Sequence, residues 1–474
     1  MNTVREIAVP SRDPQVLETE LGTQRYAALQ AAFDQPRWQD RTLWHVNSTA
    51  FGGGVAEMLH AAIPFARGLQ MRQRWLVISS VPEFFDVTKR LDNGISGLED
   101  ASELTSADEA VYAAASSAIA SALDDYIAPG DIVVLHDPQT AGLAGRARQL
   151  GAMVVWRFHN GNDDPNAHSQ QAWDFLEPYL AEVHGLIATL PQFAPPWAFQ
   201  HPLAVIPPFI DPTSPKNQPL STERVRSILA HSGLLAATPA AAPTFTLPNG
   251  STDLARLPAE ITRYGPAPTP EQPMILQVGR WDPVKDMIGV LRAFRDHLAT
   301  TTEATLTLAG PEVDGVADDP DAGQEFARCL EFWRTLEPSV RARVQLVCLP
   351  MHNPHANAAV VNALQRHATV VVQKSLSEGF GLTLTEAMWK SQAVVASGVG
   401  GLRYQLTQQP ESIVEDPHDL VTFAGKVRRF LAGSTDRVRS GEHARDRVHR
   451  EFLLDTHLTS ELSFIDSIRN EVFQ

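Results

Sequence analysis

Residues 373–401 read QKSLSEGFGLTLTEAMWKSQAVVASGVGG, and the punctuation of this stretch decides the fold. An apolar run over 369–373, strand-like, leads into polar Ser375–Ser377 and then Glu378-Gly379-Phe380-Gly381-Leu382, where two glycines clear side-chain bulk from the backbone. Such a loop can approach a ligand closely. Thr383, Thr385 and Glu386, followed by Ala387, Met388 and Trp389, predict a helix from about Leu382. Its unpaired N–H groups point back toward the glycines and favour an anion. A second short strand over 393–396 runs into Ser397-Gly398-Val399-Gly400-Gly401, a further loop for the same anion. Strand, glycine loop, helix, strand and glycine loop describe one half of a nucleotide pocket in a doubly wound α/β sheet.

Glu378 and Glu386 are spaced E-x7-E. On one continuous helix that spacing spans roughly 12 Å, beyond the roughly 5–9.5 Å of a glycosidase carboxylate pair. They do not read as an acid/base dyad. Carboxylates accept hydrogen bonds from vicinal sugar hydroxyls, so one on the loop and one on the helix can hold two different sugar rings. The plain alternative is a surface loop and an amphipathic helix with solvated glutamates; the flanking glycines weigh against it.

Working outward, a strand over 274–278 precedes Gly279-Arg280-Trp281-Asp282-Pro283-Val284-Lys285-Asp286 and a helix over 287–298. Two cations just past a strand end can neutralise a diphosphate as its bond to a sugar breaks. Arg280 offers a planar fork and Lys285 a point charge; a solvated loop ion pair is the alternative. Further strands are predicted over 304–309, 344–349 and 412–414.

Upstream, residues 42–47 (TLWHVN) read as the first strand of the chain, followed by Gly52-Gly53-Gly54 and a helix over 55–66. The Gly53 and Gly54 backbone can hold a phosphate or a sugar hydroxyl with no side chain intervening, or can simply make a tight turn. The loop is neither a G-x-G-x-x-G fingerprint nor a Walker A loop. Strands over 75–79, 131–135, 153–156, 186–189 and 204–206 alternate with helices, and residues 16–33 form a peripheral helix. Polar clusters follow the strand C-termini: Asn47, His136-Asp137, and the loop from Arg157 through Asn166 that holds His159 and Asn160. A binding crevice is expected on that edge.

At 474 residues, two domains are the default. The reading divides them as 1–215 and 216–454, with 211–220 as linker, a Pro- and Ala-rich insertion over about 230–272, and a final helix over 455–474 returning to the first domain. Net charge is −16, from 39 basic and 55 acidic residues, which argues against nucleic acid or an anionic membrane as partner. The two cysteines, Cys329 and Cys348, make neither a disulfide framework nor a metal set, which fits a reducing cytoplasm. Neither a signal-peptide core nor an 18-residue apolar window is seen, so the expectation is a protein neither secreted nor membrane-spanning. The acidic strings Asp163-Asp164 and Asp318-Asp319-Pro320-Asp321 lack the ligand number of a cation site.

The order of GGG loop, R-x4-K loop and E-x7-E loop resembles retaining GT-B glycosyltransferases, two Rossmann-like domains flanking an interdomain cleft. Longer strings narrow the likeness: WHVNSTAFGGGVAEML at 44–59, HDPQTAGL at 136–143, IDPTSPKN at 210–217 and NALQRHATVVVQKSLSEGFGLTLTEAMWK at 362–390 resemble glycosyltransferring trehalose synthases and the related trehalose phosphorylases. The resemblance implies that Glu378 holds the transferred sugar and Glu386 the ribose of a nucleotide-sugar donor. It gives Arg280 and Lys285 to the diphosphate, with Gly379, Phe380, Gly381 and Leu382 beside them. It places His159 near the transferred sugar, with Asn47, Asp137, Arg157 and Asn160 on the acceptor side. It implies neither a metal nor a cofactor, front-face substitution with retention, and a sugar or cyclitol acceptor; a homodimer is an open expectation. One string departs from the family: where relatives carry W-R-C-H-I-D, this chain has Trp156-Arg157-Phe158-His159-Asn160-Gly161. An uncharged, roomier acceptor site follows, with poor transfer to free glucose. A pseudo-glycosyltransferase of a natural-product pathway, a trehalose phosphorylase and an inactive sugar-binding protein are the other readings.

Overall fold

The computed structural model describes residues 3–35, 38, 40–51, 53–98, 103–255, 261–313 and 320–472. Gly52, Asp318 and Asp319, residues 256–260 of the insertion and the last two residues of the final helix lie outside the described residues. The chain folds into two units, Met1–Ile210 with Phe452–Gln474, and Asp211–Glu451.

The first unit is built on a sheet of β1 (Val4–Glu6), β2 (Thr42–Asn47), β3 (Arg72–Ile78), β4 (Ile132–His136), β5 (Met153–Phe158), β6 (Gly185–Ala188) and β7 (Leu203–Val205), in the order β1-β3-β2-β4-β5-β6-β7. Every pairing is parallel except β1 against β3. The central strands are buried at every position and rich in Val, Ile and Leu, as strands covered on both faces must be. The order reverses between β2 and β4, so the loops after these two strands flank a topological switch point, where doubly wound sheets bind ligands. The first strand is therefore Val4–Glu6, not 42–47. It is short and pairs antiparallel at an edge, a place that needs no continuous apolar run. The peripheral helix of 16–33 is broken at Gly22, whose φ of 80° no helix accommodates.

The helix Leu454–Val472 belongs to this unit. Asp455 is gripped by Arg25 (Nη2 to Oδ1, 2.7 Å), and Ile468 covers Gly185, where an added Cβ would lie 2.4 Å from the isoleucine methyl.

The second unit carries β8 (Thr244–Thr246) and β9 (Thr252–Leu254), a small hairpin, and a sheet of β10 (Thr262–Tyr264), β11 (Met274–Val278), β12 (Thr305–Pro311), β13 (Val344–Leu349), β14 (Val370–Gln373), β15 (Val394–Ser397) and β16 (Ile413–Val414). The order is β10-β13-β12-β11-β14-β15-β16, with only β10 antiparallel. Its switch point falls between β11 and β14, so the loops carrying Arg280–Lys285 and Glu378–Leu382 leave adjacent strands on the same edge. The helix predicted over 287–298 is α-helical only through Ala293 and continues as a π turn over Phe294–Leu298.

Residues 211–220, read as a linker, instead pack within the second unit. Asn362 Nδ2 donates to the carbonyls of Pro215 (3.0 Å) and Gln218 (2.9 Å), and Asn217 accepts from the Lys390 ammonium at 3.0 Å. Gln218 both donates to and accepts from the Thr246 backbone, pinning the hairpin of the insertion. A proline-rich segment satisfied by side chains rather than a ladder carries no periodicity, which is why it reads as a linker. Among the described residues no helix is long and apolar enough to cross a membrane.

Candidate active site

In the second unit the loops after β11 and β14 are laced together by hydrogen bonds. Gln277, buried in β11, donates to the Lys285 carbonyl (2.8 Å) and accepts the Lys374 N–H (2.9 Å), while the Leu376 N–H reaches the Val284 carbonyl at 2.7 Å. Asp282 caps the turn Pro283–Lys285. Asp286, at φ 48°, turns the chain into the next helix, accepts the Gly289 N–H and pairs with the buried Lys374 ammonium. The backbone under Lys285 is thus fixed from three sides.

On that frame Lys285 Nζ lies 2.5 Å from Glu378 Oε2, and Ser375 Oγ donates to the same oxygen at 3.1 Å. The two charged side chains are largely but not wholly covered, 13% and 10% exposed, so water still reaches them. Arg280 is more open, 60% exposed, with Asp282 at 3.1 Å. The structure therefore brings Arg280, Lys285 and Glu378 to one sheet edge, with an ammonium–carboxylate pair at its centre.

The glycine loop beyond Glu378 is shaped by close approach. Gly381 adopts φ 85° at the start of the helix Leu382–Trp389, and a Cβ there would meet Leu402 at 2.6 Å. A Cβ on Gly401 would lie 2.2 Å from Phe380 Cα, so the second glycine loop packs directly on the first. Gln405 donates to the Phe380 carbonyl (2.6 Å) and accepts from Thr385 Oγ1 (2.7 Å), holding Gly379 to Leu382 against the helix start. Glu386, one turn along, is buried and has Lys216 Nζ at 3.4 Å. Lys216 was not singled out: it sits in the stretch read as linker, and nothing near it in sequence announces a carboxylate partner. Lys374 and the role of Ser375 were passed over as well, because their partners, Asp286 and Glu378, are set by how the two loops meet.

In the first unit, Asn47, Ser48, Thr49, Gly53, Gly54, His136, Asp137 and Gln139 line a pocket at the β2/β4 switch point. Gly53, at φ 88°, starts the helix Gly54–Gly68. A Cβ there would meet nothing within 4 Å, so the position demands glycine for its conformation and not for space. Gly53 and Gly54 thus lie with Asn47 and Asp137, whereas the remaining residues read as donor-binding lie in the second unit. Asp137 has φ 62° and ψ 176°, a region that side chains other than glycine rarely enter at a cost of about 1–3 kcal/mol. It is held there by its N–H to the Arg157 carbonyl, its carbonyl from Trp156 Nε1, and its Oδ1 from the His159 N–H, each within 2.9–3.1 Å. Burial, and then the neighbouring Asp92 carboxylate, push the Asp137 carboxyl up; burial does the same to Asp92. A strained, largely buried acid in a pocket is the signature of a binding or catalytic group.

β5 extends through Phe158, so residues 157 and 158 are strand, not loop. Alternation then puts Arg157 and His159 on one face and Phe158 on the other. Phe158 is 1% exposed and packs against Trp156 and Trp173. The Arg157 guanidinium is buried among Ile206 (carbonyl at 3.0 Å), His457 (Nε2 at 3.2 Å) and Glu461 (3.7 Å). Its Nη1 and Nη2 are engaged by the final helix and the Ile206 carbonyl, while Nε has no hydrogen-bond partner among the described residues and the residue lines a small cavity with His45, His136 and His159. Burial pulls the Arg157 pKa down, while burial raises that of Glu461. Asn160 is exposed and does not line the pocket.

The space expected at Gly161 is also absent: a Cβ there would lie 2.1 Å from Phe193 Cγ. At Phe158 and Gly161 the departure from the family string is met by packing against Trp156, Trp173 and Phe193. Gly161→Ala should accordingly destabilise the fold by about 1–3 kcal/mol through overpacking. Urea denaturation that leaves the midpoint unchanged would refute this.

His159 Nε2 is 3.0 Å from His136 Nδ1, and His136 Nε2 is 3.1 Å from His45 Nδ1. Burial holds all these rings neutral, pulling His45 down to about 3 and His136 and His159 well below the usual range, with Arg157 contributing to each. The row is extended rather than convergent. Among the described residues no group of three or more His, Cys, Asp or Glu is arranged to hold a metal ion.

Residues 45–195 match the family described as "Trehalose synthase, N-terminal domain", and residues 261–447 match "Glycosyl transferases group 1". The trehalose synthase of Rubrobacter xylanophilus is 31% identical over 420 residues, covering 88% of each chain, and that of Pyrococcus horikoshii is 29% identical over 469 residues, covering 99% of each. Among solved structures, an α,α-trehalose-phosphate synthase (UDP-forming) from Burkholderia vietnamiensis superposes with a TM-score of 0.65 at 14% identity, over 90% of this chain and 96% of that one, a likeness of fold. The two doubly wound domains, the switch-point loops and these relatives place the chain in one family: it is a GT-B glycosyltransferase belonging to the trehalose synthase family.

Proposed function

We propose that this chain is a retaining glycosyltransferase that moves a glucosyl group from a nucleoside-diphosphate donor to free glucose, forming trehalose without a metal. The observation that carries the reading is the gathering of Arg280, Lys285, Ser375 and Glu378 at the second switch point, beside two interlocked glycine loops. Glu378 takes the hydroxyls of the transferred sugar, Arg280 and Lys285 take the diphosphate, and Glu386 takes the ribose. In the step itself the bond from the anomeric carbon to the diphosphate oxygen breaks and the bond to the acceptor oxygen forms on the same face. The acceptor's proton passes to the departing diphosphate oxygen. Lys285 leans from Glu378 toward the negative charge that grows there, so its contact is stronger in the transition state than before it. The acceptor is held in the first unit, in the pocket of Asn47, Gly53, Gly54 and Asp137.

The test is purified enzyme with nucleoside-diphosphate glucoses and free glucose, the product resolved by NMR. Nucleotide-dependent formation of α,α-linked trehalose is expected. Cleavage of trehalose by inorganic phosphate, with no synthesis from any nucleotide sugar, would overturn the reading in favour of a phosphorylase.

A further inference from the structure

We propose that the cavity between the first sheet, the helix Gly54–Gly68 and the final helix binds an ordered water molecule, which bridges Arg157 and Glu461 to the ends of the histidine row. Such a water is a joint between the final helix and the wall of the pocket at the β2/β4 switch point, whatever reaction the enzyme performs.

Three elements meet in this cavity. The sheet side supplies His45, Arg157 and His159, the final helix supplies Glu461, and the helix Gly54–Gly68 faces them with an apolar stripe from Val55 to Ala62. The polar side chains named are all more than nine-tenths buried. They do not satisfy one another. Arg157 spends Nη1 on His457 and Nη2 on the Ile206 carbonyl, which leaves Nε. Glu461 Oε1 is 3.7 Å from Arg157 Nη1, an ion-pair distance that is too long for a hydrogen bond. His136 uses both ring nitrogens, one on His45 Nδ1 and one on His159 Nε2, so each end of the row keeps one nitrogen over. Arg157 Nε, Glu461 Oε1, His45 Nε2 and His159 Nδ1 are thus buried with no hydrogen-bond partner among the described residues. Buried polar atoms are nearly always paired, and where side chains and backbone leave them over, water is the usual partner.

The balance of donors and acceptors decides the ligand. Each contact along the row takes one N–H and one lone pair, and a neutral imidazole has one of each. Whichever way the row is protonated, it therefore ends in a donor on one side and an acceptor on the other. Arg157 Nε–H adds a donor and Glu461 Oε1 an acceptor. Water, which both donates and accepts twice, is the complement of that set. An anion would face the Glu461 carboxylate, and a cation the Arg157 guanidinium. The cavity has room for about one water molecule. His136 and Val55 also line the pocket at the switch point, so the water lies on the other side of that pocket's wall.

The test is a crystal structure of the full-length enzyme at a resolution that shows ordered water. A water within hydrogen-bonding distance of Arg157 Nε and of at least one of Glu461 Oε1, His45 Nε2 and His159 Nδ1 is expected. A dry cavity, a bound ion, or side chains closed on one another would overturn the proposal. Ala62, which lines the cavity, gives a check in solution. Ala62→Thr and Ala62→Val add the same bulk, so overpacking and the helix cost of a β-branch cancel between them. In a hydrated cavity the threonine hydroxyl takes over hydrogen bonds of the water it displaces, and Ala62→Thr should unfold at the higher urea concentration. A dry cavity would favour the valine, because the hydroxyl would be buried without a partner. Equal midpoints, or the higher one for Ala62→Val, would therefore overturn the proposal as well. Neither readout uses a substrate, so an enzyme silent toward nucleotide sugars would refute the proposed function and leave this site untouched.

Discussion

Lys285→Ala is expected to lower turnover by about 10²–10³-fold while the protein stays folded, the cost typical of removing one preorganised group that meets developing charge. The ammonium sits 2.5 Å from Glu378 Oε2 and is anchored below by the Gln277 bond to its carbonyl, which the substitution leaves intact. Glu378 keeps Ser375 Oγ at 3.1 Å and is partly reached by water, so its stranded charge costs the fold little. The loss should therefore fall on the step in which the diphosphate departs. Lys285→Arg is no rescue, because a planar fork cannot occupy a place shaped for a point charge. Steady-state kinetics with a thermal melt decide it: wild-type kcat in a folded Lys285→Ala protein would remove Lys285 from the proposed chemistry, and a collapsed melting temperature would make its role structural.

What was legible in the sequence follows from how local each feature is. The residues 373–401 disclose strand, loop, helix and strand within a residue of their observed bounds, because glycine placement and apolar runs are local signals. Lys285 and Glu378 lie far apart in sequence, yet their meeting was foreseeable once both were placed after parallel strands of one sheet. The partner of Glu386 was not. Lys216 reaches it only because Asn362 and Lys390 fold an irregular, proline-rich stretch onto the helix, and irregular backbone leaves no period to read. The histidine row was hidden for another reason. His136 was noted at a strand end, but the bonding of His45, His136 and His159 depends on register between three strands. One misjudged boundary, β5 ending at Phe158 rather than Trp156, turned two residues to opposite faces.

Arg157 shows what that boundary conceals, and its replacement is expected to have the largest effect on stability. Its guanidinium is 2% exposed and is the charge partner of Glu461, itself 3% exposed, on the final helix. Removing one member of a buried pair costs about 3–5 kcal/mol because the other charge stays behind without water, so Arg157→Met should lower the denaturation midpoint sharply. The penalty should depend on pH in a stated direction. Burial already raises the Glu461 pKa and Arg157 opposes that rise, so in the variant it climbs further. The folded state then binds a proton that the unfolded state releases. Stability is retained below the unfolded glutamate pKa and is lost as pH rises through the folded one. Arg157→Met should thus be closest to wild type at mildly acidic pH and fall further behind it toward pH 8. Arg157→Met with Glu461→Leu removes both charges, and most of the loss should return, since apolar groups of similar volume replace a buried pair at little cost. Chemical denaturation of the three proteins at two pH values is the measurement. A double variant no more stable than Arg157→Met alone would show that Arg157 works through the Ile206 carbonyl and His457, not through Glu461.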